Sequence, residues 1–123
     1  MEKKYDIYDR IYKSIVETIK VTNMLTRTAS NQVIVNQLLR SATSMGANSQ
    51  EADGTITKKD FIYCFTTVRK EGKETCFWLQ LLGDTNSVNV KEAVSPLLKE
   101  GKEITAIVSK IINNTRNNTK HTI

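Results

Sequence analysis

The chain has 123 residues and a mass of 13.9 kDa, which fits one domain and leaves no room for a second. With 39% hydrophobic and 25% charged residues it has neither a disordered nor a fibrous composition, and a compact helical domain is expected. The net charge of +5 and pI near 9.3 suit a polyanionic partner, because clustered lysines gain by releasing phosphate counterions, although many basic proteins bind no nucleic acid.

Four segments show a helical period, and no segment of useful length alternates strictly between apolar and polar residues. In the first helix, expected over about residues 5–25, Tyr5, Tyr8, Tyr12, Ile15, Val16 and Ile19 form one stripe, widened by Ile11. Residues 26–30 make a polar connection, and Ser30 or Asn31 can accept the orphan amides that open the second helix.

The second helix is expected over about residues 31–53, closed by Gly54 and Thr55. Ile34, Leu38, Ala42, Met45 and Ala52 share one side of it. Opposite them, Gln37, Arg40, Ser44, Asn48 and Glu51 fall within a sector of roughly 80° at 100° per residue. Gly46 lies inside this helix at a cost of about 1 kcal/mol relative to alanine, so a bend or a close contact is expected there.

Thr57, with Asp60 three residues later, resembles a capping box and starts the third helix, expected over about residues 58–82. Phe61, Phe65, Val68, Gly72, Thr75, Leu79 and Leu82 recur at alternating steps of four and three, the seam of an antiparallel bundle. The seam thins at Gly72 and Thr75, where either a neighbouring helix comes close or a large side chain enters from the opposite side. Residues 83–87 are expected to close the helix and turn the chain.

The fourth helix, expected over about residues 89–115, opens with Asn89 and Glu92 as a capping pair. Val90, Ala93, Val94, Leu97, Gly101, Ile104, Val108, Ile111 and Ile112 hold one face. An interior proline costs about 3 kcal/mol, so Pro96 either starts the helix or kinks it, and the in-phase residues before it favour a continuous, bent helix. The polar run from Asn113 is expected to fray into a tail over residues 116–123. Four amphipathic helices with short polar loops make an all-α, antiparallel up-down-up-down four-helix bundle.

Two surfaces remain once the core stripes are assigned. On the third helix Lys59, Tyr63, Thr66, Lys70, Lys73 and Phe77 occupy the sector opposite the seam. A basic stripe interleaved with aromatics can hold phosphates and stack bases, or it is a solvated lysine face whose aromatics cover a neighbouring subunit. On the second helix the middle of the polar stripe is short, with Ser44, Ala47 and Asn48, which suits a contact surface or a structural hydrogen-bond network better than catalysis. Arg40 and Glu51 stand about 16 Å apart along the axis, so each needs a partner on another helix or subunit.

The catalytic inventory is poor, and no enzyme is expected: there is no nucleophile beside a base, no glycine-rich phosphate loop, and the single His121 lies in the polar tail. Glu71 and Glu74 read as ion-pair partners within a mixed-charge helix. Cys64 and Cys76, about 18 Å apart on one helix, cannot bridge each other and are expected to be two buried thiols. Neither a metal nor a cofactor is implied. No signal-peptide pattern and no membrane-length apolar run appears, so a cytoplasmic, reduced protein is expected, and the glycosylation patterns at Asn113 and Asn117 are read as chance.

The runs Gln37-Leu-Leu-Arg-Ser-Ala-Thr-Ser-Met-Gly-Ala-Asn48 with Glu51, Lys59-Asp-Phe-Ile-Tyr63, and Lys70-Glu-Gly-Lys-Glu-Thr-Cys-Phe-Trp-Leu-Gln-Leu-Leu82 resemble the four-helix bundle proteins encoded by intervening sequences of bacterial 23S ribosomal RNA. Ser49 and Gln50 depart from the apolar residues usual there. The resemblance implies a homopentamer arranged as a barrel. It also suggests contact with RNA or DNA, by analogy with accessory proteins of diversity-generating retroelements, which bind nucleic acid and a reverse transcriptase. Two expectations follow: an oligomer that binds nucleic acid or a ribonucleoprotein through Lys59, Tyr63, Lys70 and Lys73, or a protein-interaction scaffold that does not touch nucleic acid. Five subunits at +5 carry about +25, so multivalency strengthens a weak patch.

Overall fold

The computed structural model describes residues 7–118, which form four helices: α1 (Ile7–Thr22), α2 (Ala29–Asp53), α3 (Lys58–Thr85) and α4 (Val88–Asn117). Tyr5, His121 and residues 119–123 of the expected tail lie outside the described residues. The helices run up, down, up and down, with α3 packed along both α2 and α4, and α1 set diagonally opposite α3, between α2 and α4. At 1.5 Å per residue α1 is about 24 Å long and α4 about 45 Å, so α1 lines only part of the bundle.

The helix ends follow local hydrogen bonding, and several differ from the sequence expectation. The Thr57 hydroxyl accepts from the Asp60 amide at 3.1 Å and caps α3. Helix α2 is capped by Thr28 instead of Ser30 or Asn31, its hydroxyl accepting from the Asn31 amide at 3.1 Å. Asn31 is drawn inward: its side-chain amide and that of Asn86 donate to each other's oxygens at 3.0 Å, and Asn31 also donates to the Thr26 carbonyl. This uncharged pair joins the residue 23–28 connection to the residue 86–87 turn.

Helix α1 ends at Thr22, where its hydroxyl donates to the Ile19 carbonyl. Helix α3 continues to Thr85 because Leu82 and Gly83 are still buried, Gly83 against Val94 and Lys91 of α4. Ser87, not Asn89, therefore caps α4. Helix α4 is continuous through Pro96 and stays regular to Asn117, since Thr115 is buried and donates to the Ile111 carbonyl, so residues 113–117 are helical.

Every residue of the α3 seam is buried. The core it organises has two apolar clusters. One gathers Ile11, Met45, Phe61, Phe65, Val68, Ile104, Val108 and Ile112, and the other Ile34, Leu38, Leu79, Leu82, Val94 and Leu97. Between them lies a waist of small and polar residues, where the buried Thr75 hydroxyl donates to Ser41 at 2.9 Å. Close approach fills the waist. A Cβ on Gly72 would stand 2.8 Å from Thr105 Cγ2 and 3.2 Å from Met45 Sδ, and one on Gly101 would stand 2.7 Å from Cys76 Sγ. Against the expectation of two buried thiols, Cys76 is only partly buried, whereas Cys64 is buried, and both thiols are free.

Helix α1 departs most from its expected stripe. Its buried face runs through Ile7, Ile11, Thr18 and Thr22, leaving Tyr12 67% and Ile19 39% exposed. The threonines can face inward because their hydroxyls donate to carbonyls of their own helix. Arg10 ties α1 to α4 through a bidentate pair with Glu100 and a bond to Glu103. The displaced apolar stripe borders a groove of about 670 Å³ lined by Tyr8, Tyr12 and Ile15 of α1 and by Thr43, Gly46 and Ala47 of α2. Ser49 is buried here and donates to the Gly46 carbonyl at 2.8 Å, so this departure from the usual apolar residue leaves no unsatisfied hydroxyl.

Gly46 and Gly72 should respond differently to alanine. At Gly46 a Cβ meets only the tip of Ile15, beside the groove, so the gain in helix propensity of about 1 kcal/mol nearly offsets the crowding. At Gly72 it meets Thr105, whose hydroxyl is tied to the Lys102 carbonyl. Gly72→Ala is expected to lower unfolding free energy by about 1–3 kcal/mol in urea titration, and Gly46→Ala to leave it within about 1 kcal/mol.

Candidate functional site

Burial of the α3 seam turns the opposite face of that helix to solvent. Lys59, Tyr63, Lys70, Lys73 and Phe77 are exposed there, Tyr63 at 71% and Phe77 at 57%. Thr66 lies among them, half-buried, its hydroxyl spent on the Ile62 carbonyl at 2.7 Å. Among the described residues Lys59, Lys70 and Lys73 make no ion pair.

The fold adds cations from the α3–α4 shoulder that helix periodicity on α3 did not single out. Arg69 reaches across to the Ser109 hydroxyl at 3.4 Å, and Lys58 donates to the Asn118 carbonyl at 3.1 Å. Lys102 lies close enough to draw the Cys76 thiol downward in pKa, although burial dominates and holds that thiol above its ordinary value. Adjacency to Lys70 was the visible signal for Arg69. For Lys102 the pairing of two helices had to be known.

The polar stripe of α2 divides into three parts. Arg40 donates to Gln37 on its own helix at 3.1 Å, and across to α3 it pairs with Glu71 at 3.4 Å and with Glu74 at hydrogen-bonding contact. Glu74 also accepts the indole N–H of Trp78 at 3.1 Å. Ser44 and Asn48 bond each other locally, the Asn48 amide donating to the Ser44 carbonyl at 2.9 Å. The exposed Glu51 carboxylate makes no hydrogen bond or ion pair among the described residues, and its charge helps burial hold the Cys64 thiol above its ordinary value. The structure thus joins Gln37 and Arg40 to Glu71, Glu74 and Trp78, and does not bring Ser44, Asn48 or Glu51 into that network.

The Trp78 indole holds the Glu74 carboxyl below its ordinary range, assisted by Arg40 and opposed by desolvation. Both acids on the α2 flank of α3 are therefore engaged by Arg40, while the outer face presents cations. Among the described residues no three His, Cys, Asp or Glu side chains converge as metal ligands, and no buried side-chain nitrogen or oxygen lacks a hydrogen-bond partner. No helix among them is long and apolar enough to cross a membrane.

The sequence pattern described as 23S rRNA-intervening sequence protein matches residues 3–110, nearly the whole bundle. The chain belongs to that family. A crystal structure of a protein of unknown function from the S23 ribosomal protein family of Bacteroides thetaiotaomicron is similar, with 30% identity and a TM-score of 0.76. That similarity covers 86% of this chain and 97% of the other. No curated protein matches the chain.

In this member of the family the Arg40–Glu74–Trp78 network offers a direct readout, because Trp78 is the only tryptophan. Glu74 has a depressed pKa when folded, so its contribution to stability is present above the ordinary carboxylate range and is lost as pH falls through the folded value. Trp78 emission is expected to change at a pH below that range. Arg40→Met should move the change to higher pH, while the remaining indole bond keeps it below the ordinary value. A transition that Arg40→Met leaves in place would remove Arg40 from the network.

Proposed function

We propose that the protein is a non-enzymatic, self-associating bundle, arranged as a ring of five, that binds RNA or DNA, or a ribonucleoprotein, through the outer face of α3. One observation carries the reading: Lys59, Lys70 and Lys73 stand exposed and unpaired on one helix face, while Glu71 and Glu74 on its flank are occupied by Arg40. A phosphate backbone supplies the counter-charge this face lacks and displaces its condensed cations on binding.

The family description, which refers to 23S rRNA, supports RNA over DNA as the first target to test. Repetition around a ring converts a patch of three lysines into many simultaneous contacts. Self-association through the α1–α2 groove, with Tyr12 and Ile19 exposed at its side of the molecule, leaves the lysine face free. In this reading the protein works in the cytoplasm, where the thiols of Cys64 and Cys76 stay reduced.

The exposed aromatics Tyr63 and Phe77 also suit a protein partner, since interface cores are rich in aromatic residues. A scaffold function is supported if the partner stays bound after nuclease treatment and no RNA or DNA binds the purified protein.

Light scattering should give a mass of about 70 kDa, five copies of the 13.9 kDa chain, and a monomer mass would overturn the ring. Binding to RNA should weaken steeply with salt. Changing Lys59, Lys70 and Lys73 together to glutamate should weaken it further and reduce the slope of log affinity against log salt by roughly 2–3 per engaged subunit. Unchanged affinity in that variant would exclude the α3 face.

A further inference from the structure

We infer that the α3 face and its α3–α4 shoulder are built for single-stranded nucleic acid, with Tyr63 and Phe77 as base-stacking platforms. This rests on the nucleic-acid reading above and narrows it. In a duplex the base faces are buried in the stack, so an exposed aromatic ring gains little from them. A single strand offers those faces, and stacking on an aromatic ring tolerates any base.

The spacing fits a strand laid along the helix. Tyr63 and Phe77 lie on one line about 21 Å apart at 1.5 Å per residue, an interval covered by about three to six nucleotides between the extended and the stacked limit. Lys70 and Lys73 stand between the two rings on that line. Arg69, bonded across the shoulder to Ser109, and Lys102 beside Cys76 add cations on one side, where phosphates of a strand on α3 can reach them.

Phe77 is preorganised by the network behind it. Its ring meets Trp78 in a T-shaped contact at 4.9 Å and 75°, and the Trp78 indole is held by Glu74, which Arg40 in turn holds. The contact fixes the ring and leaves it more than half exposed. Arg40 is thereby a positioning residue that also engages the Glu71 and Glu74 carboxylates on the α2 flank of this face.

Charge argues against two copies of this chain meeting at the same face. Apposing two α3 faces sets Lys59, Lys70 and Lys73 against their counterparts with no described carboxylate free on that line. Lysine is also depleted in protein interfaces. A phosphodiester chain both neutralises the lysines and supplies faces for the rings.

The test uses the full chain and fluorescence anisotropy with a labelled 20-nucleotide uridine strand, the same strand annealed to its complement, and a deoxythymidine strand. The single strand should bind at least tenfold more tightly than the duplex. Tyr63→Ala and Phe77→Ala should each weaken single-strand binding roughly fivefold or more without changing its salt slope, because neither ring neutralises a phosphate. Tyr63→Phe, which keeps the ring, should restore it. The tighter of the uridine and deoxythymidine strands identifies the source.

Equal affinity for single strand and duplex, with both alanine variants unaffected, overturns this inference while leaving the nucleic-acid reading intact. Absence of binding to all three probes overturns both. If the alanine variants lose binding only because light scattering shows the assembly has dissociated, the rings belong to an interface and the inference fails.

Discussion

The close approach of α3 to its neighbours at the waist is the constraint from which the rest of the bundle follows. Gly72 lets Thr105 of α4 and Met45 of α2 meet the α3 backbone, while Gly101 makes the reciprocal space for Cys76. With α2 and α4 drawn in on both flanks, the seam of α3 is sealed over its whole length, and only one direction remains for residues on its far side. The exposed lysines are therefore a consequence of packing. A helix so tightly held is also a rigid platform, and binding groups carried on it lose little freedom when they engage a ligand.

The same packing separates charge of opposite sign. Glu71 and Glu74 sit on the flank of α3 that faces α2, where Arg40 reaches both, and the outer sector keeps its cations. Ion pairs at exposed positions contribute little to stability as a rule. Here the arrangement matters through the field it leaves behind, since two carboxylates that would weaken attraction for an anion are already engaged by a guanidinium.

Much of the fold was legible because three of the four helices obey a single periodicity. The α3 seam, the apolar side of α2 and the inner face of α4 each place their largest side chains at steps that only a buried stripe explains, and Thr57 with Asp60 marks a helix start by local chemistry alone. The inner face of α1 is hidden in the sequence because threonine looks polar there, yet Thr18 and Thr22 satisfy their hydroxyls within the helix and turn inward. The caps at Thr28 and Ser87 are hidden for a related reason, as Asn31 and Asn89 are equally good cap residues until tertiary contacts decide between them. The candidate site was half legible: its α3 stripe is a property of one helix, whereas the contributions of Arg69 toward Ser109 and of Lys102 beside Cys76 exist only once two helices are side by side.

The Asn31–Asn86 pair closes one end of the bundle with neutral amides. Neither group titrates or gathers counterions, so this latch is indifferent to the ionic strength and acidity that govern a charged surface. The architecture is in this way insulated from its own binding chemistry: solution conditions that tune attachment of a polyanion on α3 leave the register of α2 against α3 at this end untouched.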